Sequence, residues 1–169
     1  YAPDGSLLWS STRRFRNAIS MALAPDGEML VTGYDSGALM TFEAFDPATG
    51  ARTWSKTVPS ASGGQDIAVG PQGEFYVVGQ VPPTSTGTAY GYLVVKHDAA
   101  FNEVWRRTYA HGGSVATRVA VDATGQATVT GAAGSCLATA GPATNASNAS
   151  APLASITPPA RPAPTSDVF

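Results

Sequence analysis

The chain has 169 residues, enough for one ordinary domain, with 13% charged residues and a net charge of −2. That balance excludes nucleic acid as the main partner, because neutralising phosphates takes a concentrated basic surface. One cysteine, Cys136, excludes an internal disulfide and a two-thiolate metal site, and no run approaches the roughly 20 apolar residues of a membrane span.

Residues 7–11, around Trp9, read as the last strand of a unit otherwise missing from the chain. The basic residues that follow, Arg13, Arg14 and Arg16, read like Arg106 and Arg107 as solvated strand faces beside tryptophans, with an anion-contacting edge as the alternative. Residues 19–24 form a short apolar strand, Pro25-Asp26-Gly27 a turn, and 29–32 a second strand closed by Gly33. Residues 39–45 alternate apolar and polar positions as a half-buried strand does. A turn at 46–50 then sends 52–58 back along the edge, carrying Trp54. The same order recurs in strands at 67–69, 75–78, 92–96 and 104–109, with a longer loop around Pro82, Pro83 and Gly87. Strands at 117–121 and 127–130 begin a third round, and there the pattern stops.

Three copies of one phrase underlie this order: LAPDGEMLVTG at 23–33, VGPQGEFYVVG at 69–79 and VDATGQATVTG at 121–131. In each copy two glycines stand six apart, and Trp9, Trp54 and Trp105 precede the copies by 14 to 16 residues. β-type units repeating every 46 to 52 residues predict an all-β fold, a partial β-propeller. It comprises about two complete four-stranded antiparallel blades plus flanking strands. The propeller segment covers 1–134, with blade one at about 18–58, blade two at about 65–109 and a half blade at about 115–131. From 135 to 169 the chain is dominated by Ala, Ser, Thr and Pro, a composition that reads as a disordered tail or linker. Its two Asn-Ala-Ser sequons, at Asn145 and Asn148, matter only in a eukaryotic secretory pathway.

The turn-and-tryptophan step, over roughly residues 4–131, resembles the SBBP-type β-propeller repeat of bacterial proteins, which combines an aspartate turn, a tryptophan strand and a Gly-closed strand. The chain departs from that pattern where Gln72 and Thr124 replace the turn aspartate seen at Asp26. Asp46-Pro47-Ala48-Thr49-Gly50-Ala51-Arg52-Thr53-Trp54 is also similar to the docking phrase of pyrroloquinoline-quinone-like repeats. Residues 98–105 match it one residue short, with Phe101 where the glycine belongs. In that superfamily the phrase locks neighbouring blades and does not itself bind the quinone. The resemblance implies an exported or cell-surface bacterial location, extracellular or periplasmic.

The residues also suggest roles by themselves. Trp9, Trp54 and Trp105 can bury a large ring between adjacent blades while the indole N–H meets a backbone acceptor. Gly33, Gly79 and Gly131 remove side chains where strands crowd. These six are the expected blade-docking residues. Quinone dehydrogenases of the resembled superfamily need calcium and acidic ligands from several blades, and several use adjacent cysteines. No catalytic, cofactor-binding or metal residue is assigned here. His97, at a strand end, and His111, in a Gly-flanked loop, read as surface or loop residues. The carboxylate pairs Asp26 with Glu28 and Asp35 with Glu43 read as solvated turns and strand faces.

The expectation is therefore a non-catalytic propeller scaffold that binds protein or glycan. The loop at 81–90 and the glycine-rich stretch 60–64 are the candidate ligand-facing segments; Tyr90 and Tyr92 flank the loop and can stack on a sugar, but cross-strand packing is the reading favoured for them. The alternative is a fragment of a quinone-dependent propeller oxidoreductase whose active residues lie elsewhere, or a truncated reading frame. The start at Tyr1, without initiator Met or signal segment, predicts a processed product or a piece of a longer protein. Two and a half blades leave bare faces and strand edges, which predicts self-association or poor solubility.

Overall fold

The computed structural model of the chain describes residues 1–10, 16–83, 90–109 and 113–132. Arg13, Arg14, His111, Cys136, both sequons, Gly87 and the 135–169 segment lie outside them. Among the described residues the fold is all-β and antiparallel, without a helix. Nine strands follow in order: β1 (Asn17–Leu23), β2 (Met29–Tyr34), β3 (Leu39–Phe45), β4 (Arg52–Val69), β5 (Phe75–Val81), β6 (Gly91–His97), β7 (Glu103–Tyr109), β8 (Val115–Val121) and β9 (Ala127–Ala132). Strands β1 to β7 form one sheet in sequence order, and β8 pairs with β9. Residues 7–10 around Trp9 form no strand. The sequence pattern marks a strand there, but these residues join neither sheet.

Strand β4 is where the sequence reading and the structure differ most. Two strands, at 52–58 and 67–69, run as one 18-residue element. Its first half, Arg52 to Thr57, pairs with β3, and its second half, Asp66 to Val69, pairs with β5. Ser62 alone has a partner on both sides, Leu39 and Gln80. The corner between the halves holds Ser60 at φ 57° and Gly63 at φ 58°, left-handed conformations that break the pleat. Arg106 Nη1 donates to the Pro59 carbonyl (3.2 Å) and braces this corner. A single element thus ends one repeat and begins the next.

The three phrase copies fold alike. The amide of the first turn residue (Ala24, Gly70, Asp122) donates to the carbonyl four residues on, and the glycine amide donates back to that first residue. The glycines take φ values of 89°, 81° and 81°, which L side chains seldom adopt. The turn carboxylate is not tied to one position. Asp26 Oδ1 accepts from the Glu28 amide, Glu74 Oε2 accepts from the Gln72 amide, and Asp122 Oδ1 accepts from the Thr124 and Gln126 amides. This explains why Gln72 and Thr124 can replace aspartate without altering the turn. Strand register repeats as well, with Met21 opposite Val31, Ile67 opposite Val77, and Val119 opposite Val129.

Period-two alternation points successive side chains to opposite faces, and two cores form on the two sides of β5–β6. One core joins Leu30, Met40, Phe42 and Ala44 to Ile67, Phe75, Val77, Leu93 and Val95. The other faces of β5 and β6 carry Tyr76, Val78, Tyr92 and Val94 onto Ala116, Val119, Ala127 and Val129. The β5–β6 pair is therefore sandwiched between the first repeat and the β8–β9 hairpin. Burying a side chain such as Phe75 in this way stabilises by about 1.5–3 kcal/mol.

Candidate functional site

The glycines that close the phrases sit against backbone. A Cβ on Gly33 would lie 1.9 Å from the Asn17 carbonyl oxygen. On Gly79 it would lie 2.3 Å from that of Gly63, and on Gly131 2.0 Å from that of Val115. In each case the facing strand has an irregular register, between Ala18 and Ser20, Ser62 and Asp66, or Ala116 and Arg118. Two of the tryptophans, Trp9 and Trp54, meet turns of the following repeat. Trp9 Nε1 donates to the Pro47 carbonyl (2.7 Å), and its ring lies where a Cβ on Gly50 would be, 2.5 Å from Cε3. Trp54 stacks on Phe101 with centroids 4.4 Å apart. Phe101 takes the left-handed φ of 65° that Gly50 takes at 69°. A ring thus occupies the place glycine leaves open in the previous repeat. Trp105 packs edge-on to Tyr76 (5.9 Å), with Arg107 over its ring at 5.6 Å.

The two tyrosines flanking the candidate loop separate. Tyr90 is 44% exposed, at the end of its loop. Tyr92 is buried within β6, opposite Tyr109 across the strand pair, and its ring meets that of Tyr109 at 6.2 Å. Burial and the Tyr109 hydroxyl push its phenol above the usual range. A ring so placed packs the second core and has no face to offer a sugar. The stretch 60–64 is the β4 corner, and Gly64 lies against Thr32 Oγ1.

Three hairpin turns from two repeats instead enclose a cleft of about 340 Å³. Leu30, Phe75 and Phe101 form its floor, and Pro25, Pro71 and Ala99 its walls. Asp26, Glu28 and Gln72 supply its polar rim, and among the described residues no cationic side chain lines it. Glu28 is held by Thr53, whose hydroxyl donates to Oε1. The arrangement offers the half-buried Phe101 ring beside carboxylate and amide acceptors, which suits a ligand bearing hydroxyl or amine donors on an apolar body.

Two residues read as solvated lie inside the protein. His97 is fully buried, stacked on Phe75 (4.8 Å, 7° between planes) and edge-on to Phe42 (4.8 Å), and neither ring nitrogen has a hydrogen-bond partner. Burial, with Lys56 adding to it, lowers its pKa to about 4. Its position at the strand end suggested exposure, but the β5–β6 register turns it inward opposite Phe75. Glu43 is likewise buried, and Arg52 Nη1 donates to its Oε1 (2.8 Å).

Sequence reasoning missed Asp66. Its Oδ1 accepts from the Ser20 hydroxyl and its Oδ2 from the Val119 amide (2.9 Å), so one carboxylate ties the opening strands of all three repeats. Only the repeat alignment hints at this, since Ser20, Asp66 and Arg118 share one position. Among the described residues no three of His, Cys, Asp and Glu converge on a possible metal position. Nor, among the described residues, is any helix long and apolar enough to cross a membrane. No family model matches the chain, and no curated protein matches it.

Proposed function

We propose that the chain is a non-catalytic scaffold of β-propeller-type repeats, exported or displayed at a cell surface, that binds protein or glycan at its turn end. The observation that carries the reading is the repeated docking of one unit on the next. A tryptophan late in one repeat meets the turn before the last strand of the following one, at Gly50 and again at Phe101. The middle repeat also buries both faces of its sheet against its neighbours, as stacked units do when none can bury its faces alone. The cleft at the turn end sets the half-buried Phe101 ring beside an acceptor rim, the chemistry that holds a sugar ring or a cationic side chain.

A glycan microarray and a peptide-display library, each probed with the wild-type chain and with Phe101→Ala, test the binding half. The expected result is a ligand class retained by the wild type and lost by the variant. No binder on either platform, or binders indifferent to Phe101, would remove the cleft from consideration. Dye reduction with calcium and pyrroloquinoline quinone tests the other half. Turnover above the cofactor alone would replace the scaffold reading with a redox one.

A further inference from the structure

The three repeats stack by opposite faces, and among the described residues the β1–β2 and β8–β9 faces left uncovered carry the same positions that the internal interfaces bury. On the face that each repeat turns to its predecessor, Met21, Ile67 and Val119 are equivalent, as their cross-strand partners Val31, Val77 and Val129 show. Ile67 is 4% and Val119 8% exposed, whereas Met21 is 57% exposed. Leu23 is 62% exposed, while its equivalents Val69 and Val121 pack on the first and second cores. Ile19, at the bulge beside them, is also exposed. At the other end, β8 and β9 turn Ala120, Thr128 and Thr130 outward, all exposed. Their equivalents are buried or packed in the earlier repeats. Ala22 and Ala68 lie against the two cores, Leu30 and Tyr76 stand for Thr128, and fully buried Thr32 stands for Thr130.

We propose that a second copy of this chain docks head to tail, the β1–β2 face of one copy on the β8–β9 face of the other. The occupant follows from the two internal interfaces, which join these same two kinds of face. Such a contact is heterologous, so it builds a closed ring or an open chain depending on the rotation between copies. The exposed strand β1 keeps Met21 and Leu23 available to the partner, and small Ala120 and Thr130 leave room for them. This pairing rests on the reading of the repeats as equivalent stacking units.

Light scattering on size-exclusion fractions of the full chain, with Met21→Glu and Thr128→Glu, tests it. The wild type is expected to run as a discrete oligomer whose mass is a multiple of 17.2 kDa. Each variant alone is expected at the single-chain mass, and an equimolar mixture of the two at twice that mass, because one intact head then meets one intact tail. Circular dichroism melts keep loss of folding apart from loss of association. A monomeric wild type at high-micromolar concentration overturns the proposal, as does aggregation that neither variant reduces. A Thr128→Glu variant that stays oligomeric overturns it in favour of head-to-head pairing. Trp54→Ala separates this from the underlying reading: if it leaves the melt unchanged, stacking within the chain fails too, and if it lowers the melt while the wild type is monomeric, only the pairing between copies fails.

Discussion

His97→Phe should remove most of the stability this protein loses on mild acidification. The imidazole is fully buried between Phe75 and Phe42 with both nitrogens unpartnered. Its folded pKa is lowered from 6.5 to about 4, first by burial and then by Lys56; Glu103 and Asp98 oppose the shift, and Arg106 adds to it slightly. The unfolded chain therefore takes up a proton near pH 6.5, whereas the folded protein resists until about pH 4. Stability from the neutral ring is complete above pH 6.5, falls as pH drops from there to about 4, and stays level below. At about 1.4 kcal/mol for each pH unit separating the two states, the loss is on the order of 3 kcal/mol. Carboxylates held low by hydrogen bonds, Asp98 by Asn102 and Glu103 by Arg106, begin to weaken the fold only near the acid end of this window, from their ordinary values of 3.8 and 4.5 downward. Phenylalanine is a fair replacement because Phe45 holds the equivalent place in the first repeat, opposite Met29 as His97 is opposite Phe75. Urea denaturation of both proteins between pH 7 and 4.5 provides the assay. The wild type should lose about 2–3 kcal/mol across this window and His97→Phe almost none. His111 is present in both proteins and cancels. Parallel pH profiles for the two would refute the burial argument, as would an NMR titration placing His97 near 6.5.

Further outcomes follow from single contacts. Asp66→Ala strands the Val119 amide and frees Ser20, and should destabilise by about 2–3 kcal/mol in chemical denaturation; a change below about 0.5 kcal/mol would remove Asp66 as a tie between repeats. Gly33→Ala forces a methyl against the Asn17 carbonyl and should cost about 3 kcal/mol. Gly27→Ala, with open space around it but φ 89°, should cost about 1–2 kcal/mol, so equal melting temperatures for the two would contradict the crowding. At position 101 the usual order of alanine over glycine should invert. Phe101→Ala and Phe101→Gly both lose the stack on Trp54, but only glycine relieves the φ of 65°, leaving Phe101→Gly more stable by about 1 kcal/mol. Thermal melts showing alanine ahead would count against the left-handed backbone there.

Strand positions and turns were legible in the sequence because they depend on local chemistry. Alternating apolar residues between glycine turns specify a two-faced strand wherever they occur, and three copies in register leave little freedom for pairing. The predicted span at 39–45 coincides with β3 and most other strands differ at their ends, whereas residues 7–10 of the strand expected around Trp9 form none. The middle of β4 was not legible, since Ser60 to Gly64 look like a loop until two different strands claim its two halves. The candidate site was less legible still. His97 resembles a surface residue in one dimension, and the facing core decides that it points inward, whereas the cross-strand packing expected of Tyr92 is found against Tyr109. Asp66 resembles any strand carboxylate until Ser20 and Val119 approach from repeats 46 and 53 residues away. The cleft draws its floor from Leu30, Phe75 and Phe101, which no sequence spacing brings together. By itself the sequence determined an all-β chain of repeating hairpins, because turn geometry and alternation act over a few residues. Only the tertiary structure decided which faces meet and which side chains they bury, because those depend on how successive repeats pack.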